Sequence, residues 1–283
     1  MTEHRKKLHL GALLVTMALA APVLAEAPTT TRSLDELLLF YPAHYPSGDW
    51  ERKGLGQEDI WFQAADGTRL HGWFFPNAGA RATVLYLHGN AGNLSHRATL
   101  LAHLRDRLNI SIFIPDYRGY GRSAGTPTVS GVLSDARAAR KTLAAQAGID
   151  EAEVTLMGRS LGGAIAVQLA AELNPAALIL ESTFNSLQAM AKEHYTFLSW
   201  LVPEAKLNSE AAIRNYSGPL LQSHGDRDSI VPLSLGRALF MAASEPKHFV
   251  LIPGANHNDP QPASYYKTLG EFLDSLPQQK PGM

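Results

Sequence analysis

Val154-Thr155-Leu156-Met157-Gly158-Arg159-Ser160-Leu161-Gly162-Gly163-Ala164-Ile165-Ala166-Val167 is the stretch that decides the fold. Its first four residues are mostly apolar, partly β-branched, and predict a short buried strand. After Ser160 the residues are small or apolar, with no proline until Pro175, and predict a packed helix. Gly158-x-Ser160-x-Gly162 lies between the two. A serine on so sharp a turn is pushed out of the sheet, and its neighbouring glycines leave room for the backbone to bend. The product is an exposed hydroxyl with a helix N-terminus behind it, which is what a nucleophile needs.

The same pattern occurs at Gly121-Arg122-Ser123-Ala124-Gly125. Context separates the two. Ser123 is followed by Gly125-Thr126-Pro127-Thr128, which breaks a helix instead of starting one. Ser160 is the nucleophile candidate, and Ser123 reads as a loop residue.

Working outward, strand candidates at 83–87, 110–114, 154–157, 177–180, 220–223 and 249–252 alternate with helix candidates at 94–108, 129–147, 161–173, 233–243 and 265–276. Such alternation predicts right-handed crossovers and a mostly parallel, twisted sheet with helices on both faces. Ile60-Trp61-Phe62-Gln63 and Leu70-His71-Gly72-Trp73-Phe74 flank Asp66-Gly67 and predict an antiparallel N-terminal hairpin at one edge. The alternation breaks once, over an insert at 183–217 that begins where α/β sheets bind ligands. Its Tyr195, Phe197 and Trp200 make it a short helical lid, with the aromatic rings at the substrate, or else a cover for the sheet edge.

The ends and the composition set further bounds. His4-Arg5-Lys6-Lys7 precedes residues 8–21, which hold no Asp, Glu, Lys or Arg, and Val23-Leu24-Ala25 offers small residues for cleavage. Residues 1–25 are expected to be a signal peptide, the rival being an uncleaved signal anchor. Residues 26–55 then form an N-terminal arm, and 56–283 the catalytic domain. The chain carries a net charge of −1 and 0 cysteines. This balance gives no electrostatic case for nucleic acid, and membrane contact is expected only if the N-terminal segment is retained. Disulfides, thiol catalysis and thiolate metal sites are excluded. Export without disulfides fits a bacterial periplasm.

A serine hydroxyl needs a base, and the base needs a third group to hold it. Of 11 histidines, His257 lies on a loop after the last strand, where an imidazole can reach over the serine. His88 and His224 read as turn-supporting residues. The acid comes from His224-Gly225-Asp226-Arg227-Asp228, with Asp228 slightly favoured by its place near the helix start at Pro232. An oxyanion hole needs two convergent N–H groups. Leu161 offers one, and the loop His88-Gly89-Asn90-Ala91-Gly92-Asn93 the other, with Asn90 ahead of Ala91. His-Glu-x-x-His, Gly-x-Gly-x-x-Gly and phosphate-loop motifs are missing from the sequence.

These blocks, with Pro115-Asp116-Tyr117-Arg118-Gly119-Tyr120-Gly121-Arg122-Ser123 and His257-Asn258-Asp259, resemble the α/β-hydrolase superfamily. The resemblance is to its bud-emergence-type branch, which also holds eukaryotic protein depalmitoylases, and runs from about residue 37 to 272. It implies an α/β-hydrolase fold and a Ser160, His257, Asp228 triad, which settles Asp228 over Asp226. It also weakens the case for cleavage, because some members keep an N-terminal apolar anchor. The expected activity is hydrolysis of a small-molecule acyl ester or thioester through an acyl-enzyme, with no cofactor. A serine exopeptidase or amidase, and a non-catalytic binding module on the same fold, are the competing expectations.

Overall fold

The computed structural model describes residues 33–51 and 54–277. The segment expected to direct export, 1–25, lies outside the described residues. In chain order the elements are α1 (Leu34–Leu39), β1 (Tyr41–Pro42), β2 (Glu58–Gln63), β3 (Arg69–Phe75), β4 (Thr83–Leu87) and β5 (Ala91–Gly92). Then come α2 (Ala98–Leu108), β6 (Ser111–Asp116), α3 (Val129–Ala147), β7 (Thr155–Arg159), α4 (Leu161–Glu172) and β8 (Leu178–Glu181). The chain closes with α5 (Leu187–His194), α6 (Ser209–Ile213), β9 (Leu220–Gly225), α7 (Leu233–Ala242), β10 (Lys247–Ile252) and α8 (Ala263–Asp274).

Eight strands form one sheet in the order β10-β9-β8-β7-β4-β6-β3-β2. The β2–β3 hairpin sits at one edge. Its strand β3 pairs antiparallel with β6, and from β6 to β10 every pairing is parallel. The apolar runs explain why this sheet needs helices on both faces. All five residues of β4 are buried. Leu85 and Leu87 pack with α3 and α4 on one side, Val84 and Tyr86 with α2 and α8 on the other. Helix α4 is apolar on nearly every side and lies inside the first of these layers.

The helix expected at 94–108 starts with a 3₁₀ turn, Leu94–Arg97, before α2. Asn93 is the cause: its side chain accepts from the Ser95 N–H at 3.1 Å and draws the chain into a tighter first turn. Residues 33–51 are sewn into the domain. Tyr41 and Pro42 pair in parallel with Ala91 and Gly92. The buried Glu36 carboxylate accepts the N–H of Ser33 at 3.1 Å and of Val129 at 2.9 Å, and meets Lys206 at 3.2 Å. One side chain thus ties α1 to the start of α3 and to the insert. The insert itself is α5, a 3₁₀ stretch Thr196–Leu201, and α6.

Candidate active site

Strand β7 delivers Ser160 to the start of α4 with φ 54° and ψ −122°. Such a φ is strained for a residue bearing a side chain. Hydrogen bonds on both its N–H and its carbonyl hold it. The Ser160 N–H donates to Glu181 O at 2.9 Å. The Ser160 carbonyl accepts the Gly163 N–H at 3.0 Å and the Thr183 hydroxyl at 2.7 Å.

The glycines here leave room, and the bend itself falls on the serine. The positive φ belongs to Ser160, and Gly158, Gly162 and Gly163 are not among the positive-φ positions. They permit close approach instead. A Cβ on Gly162 would fall on the carbonyl oxygen of Leu87, one on Gly158 on that of Gly162, and one on Gly163 on Thr183. The α4 backbone therefore lies directly against β4 and β7.

The loops that carry the expected acid and base follow β9 and β10. His257 Nδ1 meets Asp228 Oδ2 at 2.8 Å. The other carboxylate oxygen, Oδ1, accepts the N–H groups of Val231 at 2.7 Å and Ile230 at 3.0 Å. Burial pushes the Asp228 pKa up, but the bonds from His257, Val231 and Ile230 outweigh it and hold the group below the ordinary carboxylate value. An ionised carboxylate facing Nδ1 places the imidazole proton there and leaves Nε2 a lone pair. Asp226, by contrast, is exposed and ties its loop to the loop after β10 by accepting the Gly254 N–H at 2.6 Å.

His257 is fixed from behind as well. Its N–H donates to Asn256 Oδ1 at 2.7 Å, which also accepts the Ser229 N–H and hydroxyl. Its carbonyl accepts from the Arg159 guanidinium. Ser160 and His257 line one cavity of about 380 Å³. Among the described residues the Ser160 hydroxyl makes no hydrogen bond. Catalytic contacts of this kind often close only around substrate.

The loop after β4 approaches closely, with a Cβ built on Gly89 falling 3.6 Å from Ser160 Cβ. Neither the Asn90 nor the Leu161 N–H has a hydrogen-bond partner among the described residues. Ala91, the second candidate, is held opposite Tyr41 in the β1–β5 ladder. Asn90 is held by the Tyr41 N–H on its carbonyl and by its own side chain on Leu39 O, each at 3.0 Å, and His88 and Tyr120 add to this. His88 Nδ1 donates to Gly89 O at 2.7 Å, fixing the Gly89–Asn90 peptide and so the direction of the Asn90 N–H. Tyr120 OH donates to Asn90 O at 2.6 Å. Burial, aided by the Arg97 charge, pushes the His88 pKa down to about 3 and keeps the ring neutral. Beside it the fully buried Asp116 is pushed up to about 8 by burial. His88 supports a turn as the sequence suggested, while Tyr120, Asp116 and Arg159 escaped the sequence reading. Their positions within the quoted blocks were the one available signal.

Of the aromatic residues expected at the substrate, only Tyr195 lines a cavity, an apolar one of about 240 Å³ that also contains Asn90. Phe197 and Trp200 are 91% and 75% exposed, and line neither this cavity nor that of Ser160. In the 3₁₀ stretch their side chains point outward, and Leu201 and Val202 supply apolar wall in their place. Leu187, Met190 and Ala191 of α5 complete it, and His194 Nε2 meets Ile230 O of the acid loop at 2.7 Å.

Comparison with known proteins agrees with this architecture. The sequence profile of the Hydrolase_4 family, described as serine aminopeptidase S33, matches residues 78–217. The α/β hydrolase domain-containing protein WAV2 of Arabidopsis thaliana is 35% identical over 255 residues, which cover 81% of this chain and 82% of WAV2. Protein bem46 of Schizosaccharomyces pombe is 30% identical over 252 residues, covering 83% and 84% of the two chains. Among solved structures, the Pyrococcus furiosus esterase Pf2001 superposes with a TM-score of 0.70 at 20% identity, over 83% of this chain and 97% of that one. A twisted sheet with a strained serine at the head of α4, joined to relatives that span four-fifths of its length, identifies the chain as a member of the α/β-hydrolase superfamily and of its bem46-type family.

Proposed function

We propose that the chain is a serine hydrolase that cleaves carboxylic esters or thioesters through an acyl-enzyme. The observation that carries this reading is the Asp228–His257 pair at 2.8 Å, facing the cavity in which Ser160 heads α4. His257 Nε2 takes the Ser160 proton as the hydroxyl attacks the acyl carbon. The oxyanion forms against the N–H groups of Leu161 and Asn90. Asp228 stabilises the imidazolium, which then protonates the leaving oxygen or sulfur and later activates water to release the acid.

The family profile described as a serine aminopeptidase favours a second reading, amide cleavage next to a free α-amino group. Such a substrate needs a carboxylate to bind its ammonium. Asp35 is the acidic residue on the wall of the apolar cavity, and Lys206 already pairs with it at 2.7 Å. The ester reading is therefore preferred.

Labelling by a fluorophosphonate, lost in Ser160→Ala, tests the nucleophile. A panel of 4-nitrophenyl esters, an acyl thioester and aminoacyl amides, with the same variant as control, tests the bond. Faster amide than ester turnover would reverse the preference between the two readings. We also propose that residues 1–25 direct export to the periplasm. N-terminal sequencing of protein from a secreting bacterial host is expected to read Glu26-Ala27-Pro28, and an intact Met1 in the membrane fraction would favour the anchor.

A further inference from the structure

Two cavities of opposite chemistry meet at the Ser160 turn. The apolar one is walled by α1, α5 and the 3₁₀ stretch. The other carries His96, Arg97, Arg159, Ser160, His257 and Asn258. Asn90 and Ile230 border both, which puts the reacting carbon between them. The polar side continues into a further cavity of about 270 Å³ that shares Tyr86, Leu100, Arg159 and Asn258 with it.

The position of the imidazole gives the two sides their roles. In acyl transfer the base returns its proton to the leaving atom, so the leaving group departs on the imidazole's side. His257 and Asn258 line the polar cavity and not the apolar one. The acyl chain then occupies the apolar cavity, where burial of methylenes is favourable.

Charge on the polar side is unbalanced near Ser160. Arg97 is half-buried and donates through Nη2 to Ala91 O at 3.0 Å. Among the described residues no carboxylate lies within 4.0 Å of it. A guanidinium has five donors, so most of those on Arg97 have no protein acceptor. Arg159 spends Nη2 on the His257 carbonyl, and its Nη1 is 4.0 Å from Glu181 Oε2. Glu181 and Asp259 line the further cavity, not the one that holds Ser160. Asp259 Oδ2 is taken up by the Asn256 N–H at 2.8 Å.

We infer, resting on the serine hydrolase reading, that the polar cavity is the leaving-group subsite and that Arg97 selects leaving groups bearing a carboxylate or phosphate. A planar fork of N–H donors matches either anion in two-point contact. The substrate class is thus an apolar acyl group esterified to an anionic alcohol, phenol or thiol.

The test compares kcat/KM for four butyrate esters of phenols: uncharged, carboxylate-bearing, phosphate-bearing and trimethylammonium-bearing. The readout is the ratio of each charged ester to the uncharged one, in wild type, Arg97→Met and Arg97→Lys. Arg97→Met is expected to lower both anionic ratios about tenfold and raise the cationic ratio, with Arg97→Lys in between. The larger loss of the two names the preferred anion. In the wild type alone, raising the salt concentration should shrink the anionic ratios, a measurement that needs no variant to fold. Ratios that do not move with Arg97 or with salt, while Ser160→Ala abolishes turnover of the uncharged ester, overturn the inference and leave the hydrolase reading standing. A folded protein that turns over none of the four and takes no fluorophosphonate overturns both.

Discussion

The two Gly-x-Ser-x-Gly stretches of this chain share a pattern and little else. At 158–162 the serine takes the unusual dihedral, the glycines are small so that α4 can touch β4 and β7, and the hydroxyl faces a cavity. At 121–125 the glycines take the unusual dihedrals, φ 48° at Gly121 and 84° at Gly125, and the serine is buried. Ser123 Oγ donates to Asp116 O at 2.7 Å and accepts the His71 N–H at 3.0 Å, pinning β3 to the end of β6. A motif of small residues therefore marks a place where the backbone has a problem to solve. Only the neighbouring elements say which problem.

The sharpest break of this comparison is at the two serines. Ser160→Ala is expected to lower kcat by about 10⁶-fold with an unchanged circular dichroism spectrum. Activity retained in that variant and lost in Ser123→Ala would exchange the two roles. Next in size is the acid. Asp228→Asn should slow acylation by about 10⁴-fold, because it puts the imidazole in the wrong tautomer. Asp226→Asn, which keeps an oxygen to accept the Gly254 N–H and leaves Asp228 and His257 in place, should cost little at that step. Pre-steady-state acylation in both variants ranks them, and the reverse order would sink the assignment.

A finer cut tests the oxyanion side. His88→Gln removes the donor at the Nδ1 position and should reduce kcat about 10²-fold with little change in KM. His88→Asn keeps a nitrogen where Nδ1 stands and should recover most of that loss. Equal losses in the two variants would mean that His88 serves only packing. The smallest effect is on stability. Ser123→Ala leaves a buried carbonyl and N–H unpaired, at about 1–3 kcal/mol in urea unfolding, with kcat per folded molecule unchanged.

How far the sequence reached follows from the range of the interactions. Strand β4 and helix α4 were legible because their apolar runs and glycine boundaries are local. So was the hairpin, from Asp66-Gly67. The tie of the 26–55 arm to the domain was not legible, since Glu36 finds the N–H of Val129 only after folding. The insert was legible as apolar, but composition does not say which way a residue faces in a 3₁₀ turn. Hence Phe197 and Trp200 were expected at the substrate and stand in solvent. The candidate site divides the same way. Ser160, Asp228 and His257 sit at strand ends that the pattern predicts. The supports Tyr120 to Asn90 and Arg159 to His257 are contacts between loops far apart in sequence, and Arg159 gave no sign of its partner.

Ile230 and Asn90 stand between the two cavities like a partition between adjoining rooms. Shifting that wall enlarges one room only by narrowing the other. On the proposed ester reading, a bulkier side chain at 230 would crowd acyl chain and leaving group together, and a smaller one would relax both. Along this edge, the two halves of a substrate are not free variables. Descendants of this chain that drift toward longer acyl groups must find the space at Met190, Leu187 or Val202, on the far walls, or accept a different alcohol in exchange.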